Sequence, residues 1–265
     1  MPISFEPRNW AHSTFKLGAL QWSQWWIHPD QWGTCLDFFP GERLVRTKYL
    51  DSLRGLAVVW MILFHSCYDM KMLGMVSWDF SQGFWFAFPR VIAFTFLFCV
   101  GASLHYAHSP KINWINLRQR SLKLALASLA VSLGTYFIFP NQWVFFGTLH
   151  CILVGSILGA LMVNHRKSAF VLLLLILALQ YIVGYDIKWV SSIVQKPSLD
   201  FIPIYPWFWA ILLGMLAGPI LSKNKFLSDL STPAFLKFLG THSLKIYLYH
   251  QPIIYGTLWV ISSLI

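Results

Sequence analysis

Long apolar runs alternate with short polar stretches along most of the chain. A helix needs about 20 apolar residues to cross roughly 30 Å of hydrocarbon, and seven runs reach or approach this length. They are Leu53–Tyr68, Gly83–His105, Ser121–Phe139, Phe145–Val163, Ala169–Tyr185, Ile204–Leu221 and Ser243–Ile265. The first run is the shortest and reaches bilayer thickness only if Tyr49–Leu50 or Asp69–Leu73 continues its helix. The pattern predicts an all-α integral membrane protein, a polytopic bundle of about seven transmembrane helices.

The amino-acid composition excludes a soluble domain. Hydrophobic residues make up 57% and charged residues 11% of the chain, which is too apolar for a surface that must stay wet. We divide the chain into a Trp-rich N-terminal extension, residues 1–42, and a transmembrane domain, residues 43–265. The extension either lies at the headgroup interface or is a disordered segment that contributes little. No signal-peptide pattern precedes the first run, so we expect its helix to be retained as an anchor.

Basic residues predict the orientation, because lysine and arginine concentrate in cytoplasmic loops. They are dense before the first run and in every second loop after it: Arg43, Arg46, Lys48, Arg54, Lys111, Arg118, Arg120, Lys123, Arg166, Lys167, Lys223, Lys225 and Lys237. The alternate loops hold Lys71, Lys188 and Lys196. We therefore expect a cytoplasmic N-terminus and an external C-terminus. The net charge of +10 then reflects topology and attraction to anionic headgroups, and no nucleic-acid partner is expected.

Cysteine and histidine spacing gives no metal site. Cys67, Cys99 and Cys151 fall inside apolar runs, where cysteine usually serves as a small packing residue. His105 and His108 form a His-x-x-His pair without a third ligand, which is weak evidence for a metal. We expect none.

Ionisable residues inside the runs are the first candidates for chemistry, since charged groups are expensive at membrane depth. Asp51 and Arg54 stand one turn apart where the first helix enters the membrane. His65 follows Arg54 after about three helical turns and lies on nearly the same face. Asp69 comes one turn later and is expected to orient the His65 ring as its carboxylate partner. An ion pair at the helix entry is the other explanation for Asp51 and Arg54.

Two other runs carry cationic groups at comparable depth. With the expected orientation, Arg90 and His150 lie level with His65, so the three would line one chamber in the outer half of the bundle. Arg90 also has a simpler explanation, an arginine that extends toward the outer headgroups. His150 also has one, a buried imidazole that bonds a neighbouring carbonyl.

The last run adds Tyr247, His250 and Gln251 in its inner half and middle. Together with Asp51 and Arg54 at the cytoplasmic end, they predict a polar track that leads from the inner surface to the outer chamber. The alternative for His250 is again a satisfied packing histidine.

Five blocks, in order, carry a family resemblance. They are the stretch Arg46–His65 with its Asp51-Ser-Leu-Arg54-Gly core, Phe84–Arg90 continuing to Phe96–Leu104, Phe146–His150, Pro203–Trp207 continuing to Gly214, and Gly240–Pro252. The series resembles the heparan-α-glucosaminide N-acetyltransferase catalytic-domain family, a bacterial-type member within the wider group of transmembrane acyltransferases. The resemblance covers about residues 43–260 and leaves the Trp-rich extension unexplained.

The resemblance implies an acetyl-CoA donor that approaches from the cytoplasm and a carbohydrate or glycolipid acceptor, a sugar amine or hydroxyl, on the far side. It also implies that His65 corresponds to a histidine taken to be essential in the related O-acyltransferases. One departure concerns the first external loop, where a lysosomal member of the family carries its proposed reactive histidine. This chain reads Met75-Val-Ser-Trp78 there, so an acetyl-histidine intermediate is not carried over.

These observations lead to a specific mechanistic hypothesis. His65, oriented by Asp69, is the general base, and Arg90 or His150 stabilises the oxyanion or binds an anionic acceptor. The residues assigned to acetyl-CoA are Asp51, Arg54, Tyr247, His250 and Gln251. The expected location is the inner membrane of a bacterium, and a homodimer is left open. The alternatives are a membrane transporter that uses the same track and a catalytically inactive member of the same fold.

Overall fold

The computed structural model describes residues 43–183, 198–224 and 231–264. All regular structure within these ranges is helical. The helices are α1 (Arg43–Met72), α2 (Gly83–His108), α3 (Trp114–Ile138), α4 (Thr148–Met162), α5 (Arg166–Val183), α6 (Ile204–Lys223), α7 (Ala234–Thr241) and α8 (Ser243–Leu264). The predicted extension at residues 1–42 lies outside the described ranges, and so do Lys188, Lys196 and Lys225.

Each apolar run of the sequence contributes to a helix. α1 contains both Tyr49–Leu50 and Asp69–Met72, so the first run gains the length that it lacked. Within the described residues, four helical stretches are long and apolar enough to cross a membrane: Lys48–Met72, Gly83–His108, Trp114–Ile138 and Ile204–Lys223. The chain is therefore a helical membrane protein, while the count of seven spans and the orientation of the termini stay predictions.

The fourth helix is shorter than its apolar run. α4 begins at Thr148 rather than near Phe145, and its 15 residues extend about 22 Å, less than the hydrocarbon thickness. The residues before it leave the helix to pair with the segment before α6. Leu199 N donates to Gln142 O at 2.9 Å, and Ile202 N donates to Phe146 O at 3.2 Å. These two bonds hold residues 198–203 against the N-terminal end of α4.

The main core lies between α2, α4 and α6. Its completely buried side chains include Leu97 and Leu104 of α2, Cys151 of α4, and Ile211 and Leu212 of α6. Cys67, Cys99 and Cys151 are all free thiols, and the burial of the last two confirms their predicted role as packing residues.

A second group of contacts joins α1 to the end of the chain. α7, which the apolar runs did not predict, packs along α1, and α8 follows it on the same side. The helices approach so closely that a Cβ on Gly240 would collide with the backbone carbonyl of Asp51. This contact brings the start of α8 beside α1, and with it the polar residues of both helices.

Large apolar side chains cover much of the outer surface of α3 and α5. Leu122 and Leu126 of α3 are 60% and 59% exposed, and Phe170 and Leu174 of α5 are 52% and 50% exposed. Lipid tails solvate such surfaces and water does not. The exposed apolar faces therefore agree with an integral membrane protein.

Candidate active site

Arg54 makes hydrogen bonds both within α1 and to α2. Its Nη1 donates to Asp51 Oδ1 at 2.7 Å, and its Nη2 donates to the hydroxyl of Ser103. Ser103 in turn donates to the backbone carbonyl of Cys99 at 2.6 Å. Both members of the ion pair are largely buried, so the guanidinium is held in one position by two helices. The ion pair at the helix entry, which was the alternative explanation for Asp51 and Arg54, is present, and Ser103 is a partner that the sequence pattern did not indicate.

His65 of α1 meets His250 of α8. The two ring centroids are 4.9 Å apart with an interplanar angle of 64°, an edge-to-face contact. His250 Nδ1 lies 2.8 Å from the carbonyl oxygen of Tyr247, to which it donates in the matching tautomer. Within the described residues, the buried atoms His65 Nδ1 and His250 Nε2 have no hydrogen-bond partner. Two histidines from distant parts of the sequence thus form one pair with two ring nitrogens available to a ligand.

Asp69 does not make the expected contact with His65. Its two carboxylate oxygens accept hydrogen bonds from Gln251 Nε2 at 2.9 and 3.0 Å, while His65 Nδ1 has no partner among the described residues. The predicted orientation of the His65 ring by Asp69 is therefore replaced by an Asp69–Gln251 pair. The reason is tertiary, because α8 packs alongside α1 and offers an amide donor at that level.

Asp200, which the sequence analysis missed, joins three parts of the bundle. Its Oδ2 accepts from Thr148 N at 2.7 Å and from the Tyr247 hydroxyl at 3.1 Å, and its Oδ1 accepts from Thr148 Oγ1 at 3.2 Å. The carboxylate therefore caps the N-terminal end of α4, where the helix dipole favours negative charge. Burial raises the pKa of Asp200, and the hydrogen bonds from Thr148 and Tyr247 and the nearby His150 oppose that rise.

A glycine makes room for this carboxylate. Gly147 is the N-cap residue of α4, and a Cβ at that position would collide with Asp200 Oδ2. The signal for Asp200 in the sequence was an isolated acidic residue in the apolar stretch Leu199–Ile202, just before the sixth run. An isolated carboxylate in such surroundings needs donors, and the free N–H groups of a helix start supply them.

His150 has partners for both ring nitrogens. Gly147 N donates to His150 Nδ1 at 3.2 Å, which places the ring proton on Nε2, 3.3 Å from Ser132 Oγ. Ser132 in turn donates to the carbonyl of Val144 at 2.7 Å. His150 is therefore a satisfied, half-buried imidazole, whose partners are a backbone N–H and a hydroxyl in place of the neighbouring carbonyl of the simpler explanation.

Arg90 lies on an exposed face of α2, in a surface pocket of about 280 Å³. Its guanidinium donates to the carbonyl of Phe86 and lies 3.5 Å from the centroid of the Phe86 ring. The remaining lining is apolar: Ala87, Val91, Phe94, Trp207 and Trp209. His65 and His150 are not part of this lining, and the expected chamber of Arg90, His65 and His150 stays a prediction.

The structure does bring most of the other candidates together. His65 contacts His250, whose ring lies 5.6 Å from that of Tyr247, and Tyr247 bonds Asp200 at the start of α4. Gln251 and Asp69 lie beside this series at the interface of α1 and α8. Across the described part of the chain, no group of three metal-ligating side chains occurs.

The family model for the catalytic region of heparan-alpha-glucosaminide N-acetyltransferase matches residues 46–252. The match spans most of the 265 residues, from α1 to the His250–Gln251 step of α8, and the chain therefore belongs to this family. The family's description is that of an acetyltransferase, and the matched region contains every candidate residue discussed above. No curated protein and no solved structure matches the chain.

Proposed function

We propose that the protein transfers an acetyl group from acetyl-CoA to a sugar amine or hydroxyl, and that the His65–His250 pair is the reactive centre. The observation that carries this proposal is the contact of the two rings, with His65 Nδ1 and His250 Nε2 buried and, in the described ranges, unbonded. Buried polar atoms without partners are uncommon in native proteins, and a water, an ion or a ligand is expected to supply the missing contact. The family's description as an acetyltransferase indicates that the transferred group is acetyl.

In this mechanism an imidazole nitrogen of His65 takes the proton from the acceptor amine or hydroxyl. The acceptor nitrogen or oxygen bonds to the carbonyl carbon of the thioester, and the carbon–sulfur bond breaks. The thiolate of CoA leaves and receives the proton from the imidazolium. His250, at 4.9 Å, shields the reacting group from bulk water and presents its own free Nε2 to the substrates.

The donor enters at the Arg54 end of α1 in this proposal. Arg54 and Asp51 form the cytoplasmic polar end of the proposed track, and Arg54 contributes positive charge for the phosphates of CoA. The eleven residues from Arg54 to His65 correspond to about 16 Å along a helix. The pantetheine arm would cover this distance past Tyr247, His250 and Gln251.

Arg90 and His150 receive different roles from those first expected. Arg90 borders an exposed aromatic pocket, so it fits the binding of an anionic acceptor at the surface better than oxyanion stabilisation at His65. His150 already has partners for both nitrogens and would act by holding the start of α4 in place.

The sidedness of the reaction follows from the basic residues of the loops, which favour a cytoplasmic N-terminus in the inner membrane of a bacterium. Acetyl-CoA would then be used from the cytoplasmic side and the acceptor from the other side. A carbohydrate or glycolipid is the acceptor class that the family description favours.

The test is release of CoA by the purified protein in proteoliposomes, with acetyl-CoA and glucosamine as substrates. We expect CoA release by the wild type and a loss of at least a hundredfold in the His65→Ala variant. His165→Ala is the matched control, because His165 is exposed in the connection between α4 and α5. A permease would move substrate with no CoA release. Normal turnover by a folded His65→Ala variant would rule out the assigned base.

A further inference from the structure

The Asp69–Gln251 pair has no part in the proton transfer described above. Asp69 is 2% exposed, and both of its carboxylate oxygens accept from Gln251 Nε2. A carboxylate accepts hydrogen bonds and does not donate them, so it holds the Gln251 amide with Nε2 toward Asp69 and Oε1 away from it. The hydrogen bonds to Asp69 therefore fix the direction in which Gln251 Oε1 points.

That carbonyl oxygen is buried and lacks a donor among the described residues. The same is true of His65 Nδ1 and His250 Nε2, and His250 directly precedes Gln251 in α8. His250 is 8% exposed, so water from the surface is a poor substitute for a partner. Three such atoms at one helix interface point to a ligand that brings an N–H donor as well as a group for the two imidazoles.

We propose that Gln251 Oε1 accepts a hydrogen bond from the amide N–H of the pantetheine arm nearest the thioester, and that Asp69 is a positioning residue that acts through Gln251. The inference rests on the proposed function, in which acetyl-CoA is the donor. Two methylene carbons separate this N–H from the thioester sulfur. A thioester held at the histidine pair therefore keeps the N–H close to the residue that follows His250.

In this proposal Asp69 helps to bind the acyl donor acetyl-CoA, and it does not orient His65. It also explains why a glutamine stands where an aliphatic residue would pack at lower cost. An amide offers a donor to Asp69 and an acceptor to the ligand at the same time.

The experiment measures equilibrium binding of S-acetonyl-CoA, which keeps the whole arm but has no transferable acetyl group, to the full-length purified protein. Gln251→Met removes the acceptor at nearly constant volume, and we expect a Kd about tenfold higher. Asp69→Asn frees the amide to turn, and we expect a similar rise. The double variant should bind no more weakly than Gln251→Met alone, because Asp69 has nothing left to position.

The chain contains a matched control pair at its surface. Gln82 Nε2 donates to Asp79 Oδ2 at 2.6 Å in the exposed connection between α1 and α2. Asp79→Asn and Gln82→Met should leave the Kd unchanged. Adenosine 3′,5′-bisphosphate, which lacks the arm, serves as the second ligand, and Gln251→Met should bind it as the wild type does.

The outcomes separate the two proposals. An unchanged Kd for S-acetonyl-CoA in Gln251→Met overturns the inference alone, and so does an equal loss for both ligands, which would mark a structural disturbance. Additive losses in the double variant overturn the positioning role of Asp69. A wild type that binds neither ligand overturns the donor assignment and this inference together.

Discussion

The hydroxyl of Tyr247 on α8 donates a hydrogen bond to Asp200 Oδ2 at 3.1 Å, and the same oxygen accepts from the first backbone N–H of α4. One carboxylate oxygen therefore joins the helix that carries His250 to the start of α4. The position of α8 sets the distance between His250 and His65, so we expect this hydrogen bond to help maintain the histidine pair.

Tyr247→Phe removes that link while keeping the ring. We expect a loss of about 1 kcal/mol in the free energy of unfolding, since Asp200 keeps its two bonds from Thr148. Thermal unfolding in detergent measures the change, with Tyr249→Phe as the control because Tyr249 is 65% exposed. Equal stability of Tyr247→Phe and the wild type would show that the bond contributes nothing.

The pKa of Asp200 predicts a pH dependence of stability. Burial raises this pKa in the folded state, so the folded protein holds the proton more tightly than the unfolded chain does. The contribution of this raised pKa to the free energy of unfolding is complete below the ordinary carboxyl pKa of about 4. It is lost as the pH rises through the pKa of Asp200 in the folded state. We therefore expect the Tm of Asp200→Asn to rise relative to the wild type as the pH is raised from about 4. A constant difference across that range would contradict the raised pKa.

Gly147→Ala tests the space that holds the Asp200 carboxylate. The new methyl group would lie well inside van der Waals contact of Asp200 Oδ2, so the carboxylate must shift away from the start of α4. We expect a loss of about 2 kcal/mol in stability, typical of a buried steric conflict with a broken cap. Gly134→Ala in α3 is the matched control, because its added Cβ would have no atom within 4 Å beyond its chain neighbours and the nearby backbone of its own helix. The free energy of unfolding of this control should rise by up to about 1 kcal/mol, because alanine has a higher helix propensity than glycine.

Arg54→Lys tests whether the guanidinium fork is needed. Lysine keeps the charge but cannot bond Asp51 and Ser103 in the same planar arrangement. We expect a Tm lower by several degrees and an apparent KM for acetyl-CoA about tenfold higher. Arg118→Lys, on the exposed surface of α3, should change neither quantity. An unchanged KM in a folded Arg54→Lys protein would argue against contact of this fork with the donor.

The orientation of the chain can be measured directly with single cysteines in a variant that lacks the natural ones. We expect Ser81→Cys, in the connection between α1 and α2, to react with an impermeant maleimide in cells whose outer membrane is permeable. His165→Cys should react only after the inner membrane is opened. The reverse result would invert the proposed sidedness.

Sequence patterns predicted the helices better than the contacts between them. Apolar runs located the helices because lipid exposure and backbone hydrogen bonding are local requirements that each segment satisfies by itself. The same logic missed α7, which has only eight residues, and placed the start of α4 at Phe145 instead of Thr148. That start depends on residues 198–203, which are about 50 positions away in the sequence.

The candidate site shows the same division. Spacing along one helix offered the Asp51–Arg54 ion pair as one of two explanations, and the structure contains this pair of residues three positions apart. It suggested His65 as the partner of Asp69 by the same rule, but a neighbouring helix supplied Gln251 instead. The sequence predicted that His65 and Asp69 share one face of α1. It did not predict which side chain donates a hydrogen bond to Asp69.

The sequence by itself determined the membrane class, the long helical segments, the family signature and most of the residues able to do chemistry, Asp200 excepted. Only the tertiary structure decided that His65 meets His250, that Asp69 holds Gln251, that Asp200 caps α4, and that Arg90 lines an aromatic surface pocket. The physical reason is the distance along the sequence over which each effect acts. Hydrophobic periodicity acts over one or two helical turns, whereas a contact between helices depends on their rotation, their register and the close approaches that small residues such as Gly147 and Gly240 permit.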